Sequence, residues 1–242
     1  MKFIKLESVE STNIYAFDLL ANQKVVDETT VVYSNIQTKG KGLGANVWHS
    51  EDYKNLSFSI IVFPDAVADK HFVLSMLVSL AICEYLESKG VAAKIKWPND
   101  IYYQNRKLAG ILIENSILGE LISSSVIGVG LNLNQKEFPT WIPNPISLTN
   151  ITGVEYDIKT EIEIIAKFIA NKIQLVKIKS VESIKSEYLA KLFRLQEKSV
   201  FKLNEERFTA KIIDVKPDGH LVLKTESDTE LEFYFKEIEF CE

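Results

Sequence analysis

The segment KIKWPNDIYYQNRKLAGILIE, residues 94–114, decides the fold predicted for this chain. Two apolar runs, residues 95–97 and 108–113, flank a polar stretch, and this layout is typical of a hairpin-like strand pair. The charged residues that stand in or beside the apolar runs are Lys96, Asp100 and Lys107. A charge held among apolar groups is costly unless it is paired or meets a ligand. The segment is therefore either a surface hairpin with ordinary ion pairs or part of a binding site.

Length and composition limit the classes of protein that need to be considered. The 242 residues carry a formal net charge of -5, so there is no global basic field of the kind that favours nucleic acid. Cys83 and Cys241 lie far apart without a CxxC pattern, which favours packing roles over a disulfide or a metal site. The chain has neither a long apolar run nor a signal-peptide pattern at its N-terminus. We therefore expect a soluble cytoplasmic protein that binds neither DNA nor membranes.

Hydrophobic periodicity predicts strands and helices in alternation over residues 1–194. Besides the central pair, the predicted strands are residues 2–7, 29–33, 55–62 and 121–133. Helical spacing occupies a segment of about ten residues that begins at Ser11 or Thr12, and it recurs in residues 70–89, 160–178 and 181–193. Gly90 is expected to end the second helix. Residues 136–158 are rich in proline and are expected to be irregular.

The pattern changes near Leu195, which divides the chain into residues 1–194 and 195–242. Short alternating strands follow, with a turn at residues 217–219. The predicted strands of this part are residues 200–201, 208–215, 221–224 and 231–235. A unit of about 45 residues is too small for a large core of its own, so we expect a small β-barrel that docks on the main domain.

A glycine-rich loop, QTKGKGLGANVW at residues 37–48, follows the second predicted strand. Alternate glycines allow the backbone to approach a ligand closely, and the two lysines supply positive charge, so the loop suits a phosphate or a carboxylate. It matches neither a P-loop nor a dinucleotide fingerprint.

Two other polar sites are open to two interpretations. Ser11 or Thr12 is either a helix cap or a ligand contact at the helix start. Asn132, at the end of an apolar run, is either a turn former or a carboxamide that contacts a purine edge. Gly128 and Gly130 in the same run indicate that something packs against the backbone there.

Taken together, three motifs and an early STN at residues 11–13 resemble those of biotin protein ligases. The motifs are QTKGKGLGANVW (37–48), KWPNDIYYQNRKLAGILIE (96–114) and GVGLNLN (128–134). The resemblance extends over residues 3–240 and implies an α+β fold: a mixed β-sheet catalytic domain with helices, like that of class II aminoacyl-tRNA synthetases, and a small barrel like Src-homology-3 domains. It is to the short form of the family, without a DNA-binding domain.

The resemblance also implies an activity, in which biotin and ATP give biotinyl-adenylate and pyrophosphate, and a carrier-protein lysine then takes the biotin. In the implied roles, Ser11, Thr12 and Gln37 bind the ureido ring, and Trp48 and Asn132 contact adenine. Further binding positions carried over from the motifs are Asn13, Gly40, Gly42 and Gly110. ATP, Mg²⁺ and a biotin carboxyl carrier protein are the implied cofactors and partner, and a homodimer is possible.

The catalytic roles fall on the charged residues of the central segment and the loop. Lys41 and Lys107 would lie near the biotin carboxylate and the α-phosphate, where negative charge develops. Lys96 belongs to the same cluster. Asp100 would either orient a lysine or hold Mg²⁺.

One departure from the family pattern concerns the loop. Members commonly carry GRGRRG, whereas this chain has GKGLGA, with Leu43 and Gly44 in place of basic residues. The reduced charge predicts that the adenylate is held more loosely than in arginine-rich members.

Two alternatives remain beside the ligase interpretation. A lipoate or octanoyl attachment enzyme has a similar fold and also modifies a carrier lysine, but it does not account for KWPND followed by RKLAGILIE. A biotin-sensing or carrier-binding module with decayed catalysis is disfavoured by the intact Lys96, Asp100 and Lys107.

Overall fold

The computed structural model describes residues 1–25, 27–64 and 66–241. Within these residues the helices are α1 (Thr12–Ala21), α2 (Phe72–Ser88), α3 (Leu148–Thr152), α4 (Ile158–Gln174) and α5 (Val181–Lys191). The strands of the first part are β1 (Lys2–Leu6), β2 (Thr30–Ser34), β3 (Leu56–Val62), β4 (Ala66–Val67), β5 (Lys94–Lys96), β6 (Asp100–Tyr103), β7 (Arg106–Leu118) and β8 (Leu121–Leu131). Those of the second part are β9 (Lys198–Leu203), β10 (Glu206–Val215), β11 (Leu221–Thr225), β12 (Glu230–Phe233) and β13 (Glu239–Phe240).

The main sheet is mixed, as the family resemblance implies, with strand order β1-β2-β3-β8-β7-β6-β5. β1 and β2 are parallel and the remaining neighbours are antiparallel. Every residue of β2 and β3 is buried, because helices cover both faces of the sheet. Ala16 and Leu19 of α1 pack on one face, and α2 and α4 pack on the other with the main core.

α2 is the central core helix. Thirteen of its seventeen residues are buried, including Leu77 and Cys83. Burial raises the pKa of the Cys83 thiol to about 12, which agrees with the packing role predicted for it. Gly90, with φ 79°, follows the helix end as predicted.

The central segment differs from a simple hairpin. The polar stretch between the two apolar runs contains a strand of its own, β6, which pairs with β5 on one side and with β7 on the other. Turns on either side of β6 therefore replace the single turn that the sequence predicts. The irregular stretch expected at residues 136–158 also contains a helix, α3, which Ser147 and Asn150 cap reciprocally.

The second sheet is antiparallel, with strand order β12-β11-β10-β9-β13. It docks on the main domain through Trp97, whose indole Nε1 donates to the Gly219 carbonyl at 2.9 Å, and through Phe235, which packs against Phe72 and Trp97. One hydrophobic cluster runs through both sheets. The domain division at residue 195 stays a prediction. Among the described residues no helix is both long and apolar enough to span a membrane.

Candidate active site

A cavity of about 450 Å³ opens over one face of the main sheet, which is within the usual size of a small-molecule site. Strand register explains its floor. Lys96 lies opposite Asp100, Asp100 opposite Gly110, Gly110 opposite Gly130, and Gly130 opposite Ser57. Paired residues share a face of a sheet, so the sequence-distant charged residues and glycines form one row across five strands. We call this row, residues 96, 100, 110, 130 and 57, the charged row.

A second row lies two residues further along the strands, on the same face because side chains alternate. It pairs Leu112 with Gly128 and Gly128 with Ser59. Asn13, at the start of α1, packs over Gly128, since a Cβ on that glycine would lie 2.3 Å from Asn13 Oδ1. Ser59, which is fully buried, lies within hydrogen-bond distance of Asn13 Oδ1 and Thr12 Oγ1, at 2.5 and 2.7 Å. We call this row, with residues 11–13 and Gln37, the neutral end of the cavity.

The helix start is held by a side chain from the glycine-rich loop. Gln37 Oε1 accepts hydrogen bonds from the Thr12 backbone N–H at 3.0 Å and from its hydroxyl at 3.2 Å. Ser11 occupies the N-cap position of α1, but its side chain makes no capping hydrogen bond. Ser11 therefore lines the cavity without serving as a side-chain cap, and its contact with a ligand stays a prediction.

A β-bulge brings Lys107 to the charged row. Ile101 pairs with Ala109 and Tyr102 with Lys107, so Leu108 is an extra residue in β7. Bulges redirect side chains, and here Lys107 Nζ reaches Asp100 Oδ1 at 2.7 Å.

Lys96 is held beside this pair by aromatic groups. Its Nζ lies 3.1 Å from the Tyr102 hydroxyl and 5.3 Å from the Phe240 ring centroid. Phe240 belongs to β13, so the second sheet contributes to the wall of the cavity.

Trp48 lies flat over the sheet at the charged row. A Cβ on Gly130 would meet the indole at 2.2 Å, so this glycine admits the ring, as the predicted backbone approach requires. The loop is closed by a hydrogen bond from Trp48 N to Gly40 O at 2.9 Å. Within the described part of the chain, the buried Trp48 Nε1 and Ser57 Oγ, both at the cavity, have no hydrogen-bond partner. Buried polar atoms without partners are costly, and a polar ligand in the cavity would satisfy them.

Eleven of the thirteen residues predicted for the site line this cavity. They are Ser11, Thr12, Asn13, Gln37, Lys41, Gly42, Trp48, Lys96, Asp100, Lys107 and Gly110. Gly40 and Asn132 are not among the lining residues. A Cβ on Gly40 would lie 2.3 Å from the Trp48 carbonyl oxygen, so Gly40 permits the closure of the loop.

Asn132, which is predicted to contact adenine, lies outside the cavity lining and contacts two backbone carbonyls. Its Nδ2 lies 3.3 Å from the Lys107 carbonyl oxygen and 3.2 Å from that of Ile146. The carboxamide points into the protein. Its contact with the Lys107 carbonyl links the end of β8 to the start of β7 and holds the backbone that carries Lys107.

Six lining residues lie outside the motifs that the sequence singles out. They are Ser57, Phe58, Lys236, Ile238, Glu239 and Phe240. The alternation of serines with apolar residues in LSFSIIV indicates a polar face in β3, which is a usable signal for Ser57 and Ser59. The last four come from the second sheet, and their position depends on how the two sheets dock.

No group of three His, Cys, Asp or Glu side chains that suits a metal ion is found in residues 1–25, 27–64 and 66–241. Asp100 and Glu239 are the acidic side chains among the lining residues, against the lysines Lys41, Lys96, Lys107 and Lys236. The cavity therefore combines a cationic side with a neutral, hydrogen-bonded end.

Comparison with curated proteins gives relatives that are named as ligases. BirA of Bacillus spizizenii, named a bifunctional ligase/repressor, is 33% identical over 153 residues, which are 62% of this chain and 46% of that protein. The human biotin–protein ligase is 30% identical over 163 residues, 64% of this chain and 21% of that protein. This chain thus matches less than half the length of either curated relative.

Among solved structures, the biotin protein ligase of Aquifex aeolicus in complex with biotin and ATP has a TM-score of 0.81 at 28% identity, and the match covers 99% of this chain and 98% of that one. The family model for biotin/lipoate A/B protein ligases matches residues 6–132. That segment is more than half of the chain, and it contains the helix start, the glycine-rich loop and the Lys107–Asp100 pair. The chain therefore belongs to the biotin/lipoate A/B protein ligase family.

Proposed function

We propose that this protein is a biotin protein ligase. The observation that carries the proposal is one cavity with a neutral hydrogen-bonding end and, in the adjacent row, a Lys107–Asp100 pair. In the first step a biotin carboxylate oxygen attacks the α-phosphorus of ATP, and the bond from that phosphorus to the bridging oxygen breaks. Pyrophosphate leaves with the electron pair, and biotinyl-adenylate remains.

In the second step the neutral amine of a carrier lysine attacks the acyl carbon of the adenylate. The carbon–oxygen bond to the phosphate breaks, AMP leaves, and the nitrogen loses a proton to solvent. The acceptor is proposed to be a biotin carboxyl carrier protein, because the family resemblance implies it. The cytoplasm is the proposed location of the reaction.

The neutral end suits the ureido ring of biotin, which carries two N–H groups and a carbonyl. Two groups there make no hydrogen bond within the described residues, the Ser11 hydroxyl and Gln37 Nε2. The Ser57 hydroxyl, at the β3 end of the adjacent charged row, is also without a partner among those residues. The neighbours of these groups, Thr12 and Asn13, are already fixed by hydrogen bonds. Because these side chains are already ordered, the free energy of binding is not reduced by the cost of ordering them.

The charged row suits the reaction centre. Negative charge develops on the α-phosphate as the carboxylate attacks, and a fixed cation stabilises it most in a site that excludes water. Lys107 is held by Asp100 at 2.7 Å and by the bulge in β7, so it needs little reorganisation. Lys96 and Lys41 add positive charge, and Trp48 offers its indole as a surface for adenine.

Mg²⁺ is part of the proposal because it commonly accompanies nucleotide phosphates, usually through one or two carboxylates and several waters. The residues of the cavity fit such a Mg²⁺ site only in part, because the Asp100 carboxylate is already paired with Lys107. We assign Asp100 first to orienting Lys107. The ion, when bound, would neutralise phosphate charge and would be held mainly by the phosphates and water, with Asp100 as the available carboxylate.

The family also contains lipoate ligases, so the choice of acid needs its own argument. A dithiolane ring has no N–H or carbonyl group. It would leave Ser11 and Gln37 at the neutral end, and Ser57 in the adjacent row, without partners. Unpaired buried polar groups cost about 1–3 kcal/mol each. The name of the human relative, a biotin–protein ligase, supports biotin as well.

The deciding experiment is acid-dependent ATP–pyrophosphate exchange by the purified chain, with biotin, lipoate and octanoate assayed in parallel. We expect exchange with biotin alone. Exchange with lipoate or octanoate would transfer the assignment to an acyl attachment enzyme. Biotin binding without exchange would indicate a binding module.

A further inference from the structure

The turn between β12 and β13 carries a lysine into the cavity. Lys236 lies in this turn with φ 67° and lines the cavity together with the glycine-rich loop. Its side chain makes no hydrogen bond or ion pair with the described residues. An ammonium group at the rim of a cavity that holds three further lysines is poorly placed unless an anion lies between them.

The backbone that presents Lys236 is fixed on both sides. The neighbouring Phe235 packs against Phe72 and Trp97, with ring centroids 5.7 and 5.6 Å apart. The following Glu237 accepts a hydrogen bond from the Tyr234 N–H at 2.6 Å. The position of Lys236 is therefore set by the docking of the second sheet on Trp97, next to the charged row.

The side chain of Lys236 occupies the space next to Gly44 where any other residue would place a Cβ. That Cβ would lie 2.1 Å from Lys236 Nζ and 2.7 Å from its Cε. Gly44 stands where arginine-rich members carry a basic residue. The ammonium group of Lys236 therefore lies next to Gly44, the loop position that lacks a basic side chain. Lys236 itself is distant from the loop in the sequence.

We propose that Lys236 binds a phosphate group of the nucleotide and supplies the positive charge that the loop lacks at Gly44. The inference deepens the proposed function and rests on it for the identity of the nucleotide. It alters the expectation from the loop sequence: with Lys236 in place, the adenylate should be held about as tightly as in an arginine-rich relative.

The first test is ATP binding to the intact chain by calorimetry, which needs no turnover. Lys236→Gln should weaken ATP binding about tenfold, as expected for one charge-assisted contact, with the loss shrinking at high salt. Biotin affinity should not change. Lys211→Gln is the matched control, because Lys211 lies in the same sheet opposite Lys198 and Lys224 and outside the cavity. Equal ATP affinity of the Lys236→Gln and Lys211→Gln variants would overturn the inference.

The second test is charge rescue. In the Lys236→Gln background, Gly44→Arg should restore most of the ATP affinity and slow the release of radiolabelled adenylate, whereas Gly44→Ala should not. Both substitutions carry the same backbone strain at φ 65°, so strain does not distinguish them, and Arg differs from Ala by its long side chain and its charge. Equal behaviour of the two double variants would also overturn the inference. Failure of the proposed function has a separate sign, the absence of biotin-dependent exchange in the unaltered chain.

Discussion

The two ends of the cavity differ in how completely the chain satisfies its own polar groups. At the neutral end, Thr12, Asn13 and Ser59 are joined to one another or to Gln37 by hydrogen bonds. At the cationic side, Lys41 and Lys236 have no ion-pair partner among the described residues. The three side chains named at the neutral end are thus paired before a ligand arrives, whereas Lys41 and Lys236 at the cationic side are not.

This difference separates specificity from reactivity. A preformed set of hydrogen-bonding groups discriminates between ligands that match it and ligands that leave it unpaired. Unpaired cations discriminate little, but they stabilise a charge that develops during reaction. We therefore expect substitutions at the neutral end to change biotin binding, and substitutions in the charged row to change the rate or the affinity for ATP.

The largest effect is expected from Lys107→Ala. Loss of a fixed cation at the α-phosphate should lower biotin-dependent exchange by about 10²–10³-fold or more, with the circular dichroism spectrum and biotin affinity preserved. The control is Lys94→Ala, which removes an exposed lysine of β5 whose Nζ contacts the Ala190 carbonyl oxygen. Exchange by Lys107→Ala at the rate of that control would refute the catalytic role of Lys107.

Asp100→Asn separates the two roles considered for this carboxylate. If Asp100 orients Lys107, the isosteric amide should lower the exchange rate by about 10–100-fold, as for an unpaired catalytic charge, at every Mg²⁺ concentration. If it binds Mg²⁺ instead, added Mg²⁺ should restore the rate. We expect no restoration, and Asp18→Asn, on the exposed side of α1, should behave like the unaltered chain.

Gly128→Ala and Gly130→Ala probe the two ends with the same chemical change. The first places a Cβ 2.3 Å from Asn13 Oδ1, and the second places one 2.2 Å from the Trp48 indole. We expect Gly128→Ala to raise the KM for biotin and Gly130→Ala to raise the KM for ATP, each about tenfold, the effect of losing one well-placed contact. Equal effects of both variants on both substrates would contradict the division of the cavity.

Local patterns in the sequence predict much of this arrangement. The alternating run of β3, the helical spacing of α2 and the glycines of β8 all depend on neighbours in the chain, and the structure confirms them. The clustering of Lys96, Asp100 and Lys107 follows from their closeness in one segment.

What the sequence did not predict depends on pairing between distant segments. β6 is hidden because Pro98, Asn99 and Asn105 around it favour a turn over a strand. The orientation of the Asn132 carboxamide depends on the positions of the Lys107 and Ile146 carbonyl groups, which lie far from it in the sequence. Lys236 reaches the cavity only because Phe235 docks against α2, and no local pattern indicates that contact.

The smallest effects are expected from the two serines of β3, and they test the contrast between satisfied and unsatisfied groups directly. Ser59→Ala removes hydrogen bonds to Thr12 and Asn13 and should lower the free energy of unfolding by about 1 kcal/mol, with biotin affinity reduced a few-fold. Ser57→Ala removes a buried hydroxyl that has no partner in the described residues.

Ser57→Ala should therefore leave stability unchanged or slightly raised, because a desolvated and unpaired group is lost. If a ligand supplies the missing partner, the same variant binds that ligand a few-fold more weakly. Thermal melts with and without biotin, ATP or both measure the two quantities together. A loss of stability without ligand in Ser57→Ala, as large as that in Ser59→Ala, would mean that Ser57 belongs to the internal network and not to the ligand.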